Sequence, residues 1–240
     1  MKICIIGNSH IAALQHALRE GRFARRGIDF DFWGLPNKQF EEIKYDQGIL
    51  VTTNLRKLKA LFGARHGRLK IGAYDALVFH GGPLRLDRLL ISIKAAGEGF
   101  DEFDEEFLAA GIESFMSGLN AIRLVSEISD SHALPIVVSA DPLPARRRNG
   151  RRKNPEIAAE DLERLQMIVG RLIEARKAMY LRQDAGTIED AFYTRGMFAE
   201  NAKRFKNDGM MTKEGDIKHM NSRYGEIVLG RIADLLAGAA

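Results

Sequence analysis

Ser9 occupies the place where a predicted strand turns into a predicted helix. Residues 2–6 form a short, mostly β-branched apolar run, Gly7-Asn8-Ser9 supplies turn residues, and residues 11–25 look helical. A hydroxyl at this point lies beside the first free N–H groups of the helix, where developing negative charge finds donors and a favourable dipole. The position therefore suits a nucleophile. Serine is also a favoured N-cap residue, so this stretch alone allows both interpretations.

His219 is the candidate base for such a nucleophile. A serine hydroxyl becomes reactive only when a base takes its proton and a third group orients that base. Asp216 precedes His219 in a polar loop ahead of the last predicted helix. At this spacing the carboxylate can turn back onto Nδ1 of the imidazole while Nε2 points outward. The remaining histidines have no aspartate at that spacing: His10, His16, His66, His80 and His132.

A glycine-rich turn supplies a second candidate wall of the site. Residues 76–79 predict a strand that runs into His80-Gly81-Gly82-Pro83, and glycines there let backbone approach a ligand closely. His80 is equally a structural histidine at a strand end, and His10 either lines the pocket or packs. A metal site built from His10, His80 and His219 would compete with a role of His219 as base. Their spacing matches no metal-ligand motif, so no metal is expected.

Strand-like and helix-like segments alternate along the chain, which predicts a mostly parallel α/β sheet covered on both faces. Ligands bind at the carboxyl ends of such strands, so Ser9 and the His80 turn are expected to share a crevice. The apolar stripe of the helix expected at 102–128 is interpreted as core. The strands are expected at 2–6, 28–33 (ending at Gly34), 48–53, 76–79, 135–139 and 187–193. The helices are expected at 11–25, 54–62, 102–128, 154–181 and 221–236.

Composition places the chain among soluble single-domain proteins. Its 240 residues, 45% hydrophobic and 28% charged, suit one domain over residues 1–240 with a single core. Cys4 is the one cysteine, so no disulfide within the chain is possible and redox chemistry is not expected. No apolar run approaches the ~20 residues that span a bilayer, and the N-terminus lacks a leader pattern. A cytoplasmic location is the expectation.

A cluster of basic residues stands out between the strand at 135–139 and the next helix. The formal net charge is +4, and residues 146–153 read Arg-Arg-Arg-Asn-Gly-Arg-Arg-Lys. This segment, Arg146–Lys153, predicts an exposed loop that is either simply solvated or a contact for an anionic substrate, an acidic membrane surface or nucleic acid. No aromatic residue interleaves with the arginines, so nucleic-acid binding is not expected.

The two ends of the chain resemble one known family. Ile5-Ile6-Gly7-Asn8-Ser9-His10 and Gly215-Asp216-Ile217-Lys218-His219-Met220-Asn221 are similar to the first and last motifs of the SGNH (GDSL-like) hydrolase superfamily, in its bacterial esterase and O-acetyl esterase branch. The resemblance implies a flavodoxin-like, three-layer α/β/α fold. It also implies that Ser9 is the nucleophile, His219 the general base and then acid, and Asp216 the orienting carboxylate.

The middle of the chain departs from that family pattern. The family completes its oxyanion hole with a glycine after the second strand and an asparagine in a Gly-x-Asn turn after the third. Gly34 matches the glycine, but the turn here reads His80-Gly81-Gly82 and holds no asparagine. The N–H of Gly81 or Gly82, or the His80 side chain, is expected to substitute, with His10 lining the pocket.

The function implied by the resemblance is hydrolysis of acyl esters, with small O-acyl groups such as O-acetyl on carbohydrate as substrates and no cofactor. Two alternatives remain open: an O-acyltransferase with the same site, and a non-catalytic protein that keeps the fold and binds a glycan or acyl ligand. A nucleotide- or flavin-binding domain fits less well, because Gly7-Asn8-Ser9 matches neither G-x-G-x-x-G nor a P-loop.

Overall fold

The structure is a computed structural model that describes residues 1–54, 56, 58, 67–96, 103–146, 157–203, 211–212 and 216–238. The strands are β1 (Lys2–Gly7), β2 (Asp29–Gly34), β3 (Lys44–Asp46), β4 (Ile49–Val51), β5 (Arg68–Lys70), β6 (Ala76–His80), β7 (Ile136–Ser139), β8 (Met179–Leu181), β9 (Ile188–Glu189) and β10 (Tyr193–Thr194). The α-helices are α1 (Ile11–Arg19), α2 (Leu86–Ala96), α3 (Glu105–Ser117), α4 (Asn120–Ser131), α5 (Ala159–Glu174) and α6 (Ser222–Gly238). Short 3-10 turns span Asn37–Glu42, Ile71–Ala73, Ala185–Thr187 and Gly196–Phe198.

Five strands form the central sheet in the order β2-β1-β6-β7-β8, and every neighbouring pair is parallel. Counted along the chain, this is the 2-1-3-4-5 order of doubly wound α/β proteins. The predicted α/β class and the three layers are confirmed. From β1 the chain adds β2 on one side and then β6, β7 and β8 on the other, so the strand order reverses between β1 and β6. The carboxyl ends of these two strands therefore flank the crevice where such folds bind ligands. Ser9 follows β1 there, and Gly81 follows β6.

The three inner strands, β1, β6 and β7, are buried on both faces, which is why they read as continuous apolar runs. The edge strand β2 instead alternates, with Asp29 and Asp31 exposed. Ile3 and Ile5 of β1 pack toward α1 and α6, whereas Cys4 and Ile6 pack on the opposite side with the core of α2, α3, α4 and α5. Burial raises the pKa of the Cys4 thiol, which keeps it protonated. No helix in the described residues is both long and apolar enough to cross a membrane.

Two strands expected in the central sheet lie outside it. The segment predicted at 48–53 contains β4, which pairs antiparallel with β3 and β5 in a separate small sheet. The segment predicted at 187–193 is a two-stranded antiparallel pair, β9 and β10. The fifth central strand is instead β8, within the range predicted as helix. The part of that range at 154–156 lies outside the described residues, as does most of the helix predicted at 54–62.

The lengths of several predicted helices were wrong because their ends carry weak signals. Helix α5 ends at Glu174, and Lys177 takes a left-handed φ of 57° where a glycine would have marked the stop. The helix expected at 102–128 is two helices, because Leu119 between them is extended. Its stripe is also not wholly core, since Phe107 is 64% exposed and Phe115 is 37% exposed. Helix α1 ends at Arg19 rather than at residue 25.

The contact between α1 and α6 positions the two ends of the chain. Gly225, in the first turn of α6, lies so close to α1 that an added Cβ would stand 2.1 Å from the carbonyl oxygen of Ala13. Around it the apolar faces of both helices pack against β1 and β6. Because Ser9 immediately precedes α1 and His219 precedes α6, this close packing brings their side chains to one place.

We expect Gly225→Ala to lower the free energy of unfolding by about 1–3 kcal/mol, since a methyl group forced into a packed interface costs roughly that much. Urea denaturation measures the change. Gly111→Ala is the matched control, because Gly111 in α3 has open space around its Cβ position. Alanine there should raise stability by about 0.5–1 kcal/mol through helix propensity. Equal stability of the Gly225→Ala variant and the native protein would contradict the close helix packing.

Candidate active site

The Ser9 hydroxyl points to a histidine rather than to the helix that follows it. Ser9 lies in the turn between β1 and α1, and its Oγ is 3.0 Å from Nε2 of His219. The side-chain contact at the helix start belongs to Asn8, whose Oδ1 accepts the His10 N–H at 2.9 Å. The hydroxyl of Ser9 is therefore free of a capping role and available to its neighbour.

Asp216 fixes the other side of the same imidazole. Its Oδ2 lies 2.7 Å from Nδ1 of His219, while its Oδ1 accepts the backbone N–H of Lys218 at 2.8 Å and that of His219 at 3.3 Å. A carboxylate with both oxygens engaged holds the proton of the ring on Nδ1. Nε2 is then the unprotonated nitrogen of the ring, and it can accept a hydrogen bond from the Ser9 hydroxyl.

The protonation states suit proton transfer at neutral pH. Burial lowers the pKa of His219 below its ordinary value, the nearby His10 lowers it further, and the hydrogen bond that its Nδ1–H donates to Asp216 opposes both. His219 is thus neutral near pH 7, as a base must be. Burial raises the pKa of Asp216, but the N–H groups of Lys218 and His219 outweigh it, so the net pKa is lowered and the group stays a carboxylate.

Glycines allow the strand ends around Ser9 to approach one another. Gly34 pairs with Gly7 across β2 and β1, where a Cβ on Gly34 would stand 1.9 Å from the Gly7 carbonyl oxygen. Gly81 has a φ of +66°, and its N–H donates to the Ser139 carbonyl at 3.3 Å. Gly82 packs on α4, because its Cβ would stand 2.4 Å from Cβ of Ala121. Of these predicted oxyanion donors, Gly81 therefore has its N–H already engaged.

His80 lies at the end of β6 and is 1% exposed. Its Nδ1 is 2.6 Å from Oγ of Ser139 at the end of β7. Burial, together with the nearby His10, lowers the pKa of His80 to about 3, so its ring is neutral. Nε2 of His80 is buried, with no partner among the described residues. Such a buried, neutral side chain is typical of a structural histidine, here next to the candidate site.

His10 links the site to a carboxylate that sequence reasoning missed. Its ring stacks on that of His219 with centroids 5.5 Å apart, and its Nε2 is 3.4 Å from Oδ2 of Asp141. Asp141 stands two residues after β7, at the same edge of the sheet as Ser9. That position was the available signal, because polar groups just beyond parallel strands gather at one edge.

The structure thus gathers Ser9, His10, Asp216 and His219 into one cluster, with His80, Gly81 and Asp141 directly beneath it. The imidazole of His219 bridges the hydroxyl and the Asp216 carboxylate, the arrangement that activates a serine for attack on an acyl carbon. In the described residues no group of three or more His, Cys, Asp or Glu side chains is placed to hold a metal ion.

Comparisons with known proteins give distant matches in structure alone. No protein-family model matches the chain, and no curated protein matches it. Among solved structures, one provisionally described as a platelet activating factor from Streptococcus pneumonia has 13% identity and a TM-score of 0.48, over 98% of this chain and 83% of that one. An acetyl xylan esterase has 10% identity and a TM-score of 0.45, over 98% and 99%. A protein from Agrobacterium tumefaciens, provisionally described as an arylesterase, has 10% identity and a TM-score of 0.41, over 99% and 98%.

We expect the His219 imidazole to titrate with a midpoint below its ordinary value near 6.5, and Asp216→Asn to lower that midpoint further, because the carboxylate favours the charged ring. NMR of histidine labelled with ¹⁵N in the ring measures both, with the His219 signals assigned by their loss in His219→Ala. A native midpoint above the ordinary value would contradict the burial and the contacts described for this ring.

Proposed function

We propose that the chain is a serine-type hydrolase of acyl esters in which Ser9 is the nucleophile, His219 the base and Asp216 the orienting group. The observation that carries the proposal is the continuous path from Ser9 Oγ to His219 Nε2 at 3.0 Å and from His219 Nδ1 to Asp216 Oδ2 at 2.7 Å. The SGNH-like motifs at the two ends of the sequence agree with these assignments. They also favour small O-acyl groups, such as O-acetyl on carbohydrate, as substrates.

The reaction begins when Ser9 Oγ attacks the carbonyl carbon and His219 Nε2 takes the hydroxyl proton. Asp216 stabilises the imidazolium that forms. The tetrahedral intermediate then collapses, its carbon–oxygen bond to the alcohol breaks, and His219 returns the proton to the departing oxygen. Water attacks the acyl-serine, His219 takes a proton from that water, and the carboxylic acid leaves as Ser9 regains its proton.

The negative charge on the carbonyl oxygen needs backbone donors near Ser9. The N–H of Ser9 lies at the start of α1, where the helix dipole favours negative charge, and within the described part of the chain it has no acceptor. Gly82 also has an N–H without an acceptor in that part of the chain, whereas that of Gly81 is taken by Ser139. We therefore assign the oxyanion to the N–H groups of Ser9 and Gly82, with Gly34 as the third candidate.

The acceptor of the acyl group decides between a hydrolase and a transferase. Water completes hydrolysis, and a sugar hydroxyl in its place would make the same site an O-acyltransferase. The described residues favour neither by a particular contact, so hydrolysis, which needs no second substrate, is the proposal. A non-catalytic binding protein would have no need of a neutral imidazole held on a serine hydroxyl.

Substitution of the triad tests the proposal through hydrolysis of p-nitrophenyl acetate. We expect Ser9→Ala and His219→Ala to lower kcat by about 10⁴-fold or more, because each removes a group without which the others cannot act. Asp216→Asn should lower kcat by roughly 10⁴-fold, because the wrong tautomer of His219 then faces Ser9.

Ser117→Ala is the matched control and should leave kcat unchanged, since Ser117 is exposed and its hydroxyl donates to Glu113 of the same helix. Equal turnover by the native protein and Ser9→Ala would rule out the assignment. Absence of turnover with any small ester, in a protein that binds acylated glycans, would favour the non-catalytic alternative.

The basic segment begins beside the proposed site. The N–H of Ala145 donates to the carbonyl of Ile217 at 2.7 Å, within the loop that carries Asp216 and His219. Arg146, the first residue of the segment, contacts Asp190 and lies over the ring of Tyr193 at 5.0 Å. The rest of the segment, 147–153, lies outside the described residues. The anchor next to the triad loop supports the proposal that the segment attracts an anionic acyl ester.

Neutralising Arg147, Arg148, Arg151 and Arg152 to glutamine should raise KM for an anionic ester while leaving KM for p-nitrophenyl acetate unchanged. The ratio of the variant's KM to the native KM for the anionic ester should fall toward one as salt is added, because screening weakens attraction between exposed charges. Steady-state kinetics on the two esters at low and high ionic strength measures it. Unchanged KM for the anionic ester at low salt would mean that the segment is simply solvated.

A further inference from the structure

A buried carboxylate that the proposed mechanism does not use lies beneath the nucleophile. The side chain of Asp141 is 6% exposed, and its backbone N–H donates to the carbonyl of Leu84 at 3.0 Å. Burial alone would raise the pKa of this carboxyl, but His10, Arg85 and Asn8 together lower it. An ionised carboxylate is costly to bury unless it is paired, so its partners identify what it holds.

Those partners are the two residues on either side of Ser9. Nδ2 of Asn8 donates to Oδ1 of Asp141 at 3.4 Å, and Nε2 of His10 lies 3.4 Å from Oδ2. Asn8 and His10 are joined in turn by the 2.9 Å hydrogen bond from the His10 N–H to Asn8 Oδ1. One carboxylate therefore contacts both ends of the three-residue turn that carries the nucleophile.

Gly81 shows how closely these groups are fitted together. It adopts a left-handed φ of +66°, and a Cβ at this position would stand 2.9 Å from Asn8 Oδ1, 2.9 Å from Cβ of His10 and 3.2 Å from Asp141 Oδ1. Any side chain there would push apart the groups that Asp141 holds together. The glycine of the β6 turn thus has a second reason to be present besides its backbone conformation.

The same carboxylate reaches the base through His10. The ring of His10 stacks on that of His219 at 5.5 Å with an interplanar angle of 27°, and His10 Nδ1 is buried with no partner among the described residues. Asp141 is therefore the polar contact that orients the His10 ring. The site consequently holds two carboxylate–imidazole pairs side by side, Asp216 with His219 and Asp141 with His10.

We propose that Asp141 and His10 are positioning residues, in which Asp141 clamps the Asn8-Ser9-His10 turn and His10 holds the ring of His219 in place and resists positive charge on it. This inference rests on the proposed function, because it describes how that triad is held. Neither residue touches the reacting atoms.

The groups that face His219 determine the expected direction of the effect. Asp216 and Lys218 come from its own loop, Ser9 and His10 from the turn after β1, and Asp141 from beyond β7 through His10. His80 lies beneath them at the end of β6 and is neutral, and Arg85 stands near Asp141. Asp216 favours a charged His219, whereas Lys218 and His10 oppose it. Removing the His10 imidazole therefore should make His219 easier to protonate.

Two variants separate the clamp from the stacked ring, with inactivation by a fluorophosphonate as the kinetic readout. Asp141→Asn keeps the shape but not the charge, and should lower the maximal inactivation rate by roughly 10²-fold with little change in the inhibitor's binding constant, since a small displacement of a nucleophile costs about that much. His10→Phe keeps a flat ring but not the imidazole, and should raise the His219 midpoint measured by ¹⁵N NMR. Thermal melting establishes that both variants fold.

The control is His132→Gln, because His132 contacts Tyr45 far from the site and should change neither readout. A native protein that does not react with the inhibitor would defeat the proposed function itself. A reactive native protein with an unchanged inactivation rate in Asp141→Asn, or an unchanged His219 midpoint in His10→Phe, would overturn this inference alone. If Asp141→Asn does not fold, the midpoint in His10→Phe still decides the role of the ring.

Discussion

The hydrogen bond between Ser9 and His219 joins residues 210 positions apart, and much of the architecture can be understood as what this contact requires. Ser9, the proposed nucleophile, precedes α1, and His219, the proposed base, precedes α6, so the two helices must lie side by side on one face of the sheet. Gly225 permits that approach, and the apolar faces of both helices pack against Ile3, Ile5 and Val78. Burial of these faces, at roughly 25 cal/mol per Å² of apolar surface, offsets the entropy of bringing distant segments together.

Several polar side chains lie at the carboxyl edge of the sheet, beyond the apolar interior. Ser9, His80, Asp141 and Ser139 all stand at or just beyond the ends of β1, β6 and β7, where parallel strands leave room between loops. Hydrogen bonds offset part of the desolvation cost of these buried groups, since His80 Nδ1 contacts Ser139 and Asp141 accepts from Asn8. A site built on strand ends is also rigid, because neighbouring strands hold the register of Gly7 with Gly34 and His80.

Local chemistry made part of this structure predictable from sequence. Residues 3–6 are apolar on both faces of a parallel strand, so β1 and the turn at Ser9 could be located, and the α/β class followed from the alternation of strand-like and helix-like segments. The Asp216–His219 spacing predicted a contact that depends only on a short loop. Whether the Ser9 hydroxyl would cap α1 or face His219 could not be read from the turn, because the answer depends on where α6 packs.

The features that sequence reasoning missed depend on long-range placement or on atypical signals. Helix α5 ends before Lys177, which adopts a left-handed φ although lysine does not favour that conformation. The sequence therefore did not indicate the end of the helix, and β8 fell within the range predicted as helix. Phe107 fits an apolar stripe but faces outward, because the face of α3 that packs on the core is the one with Leu108, Ile112 and Met116. Asp141 is separated from Asn8 by 133 positions, and its place just beyond β7 indicates the edge of the sheet at which it lies but not its contact with the turn that carries Ser9.

If His219 activates the Ser9 hydroxyl, that hydroxyl should react with a fluorophosphonate, and peptide mapping after the reaction measures this. The inhibitor bonds irreversibly to an activated serine, and mass spectrometry of the digested protein locates the adduct. We expect a single adduct on the N-terminal peptide at Ser9, formed in the native protein and absent from His219→Ala. An adduct on another serine, or none in the folded native protein at ample inhibitor, would contradict it.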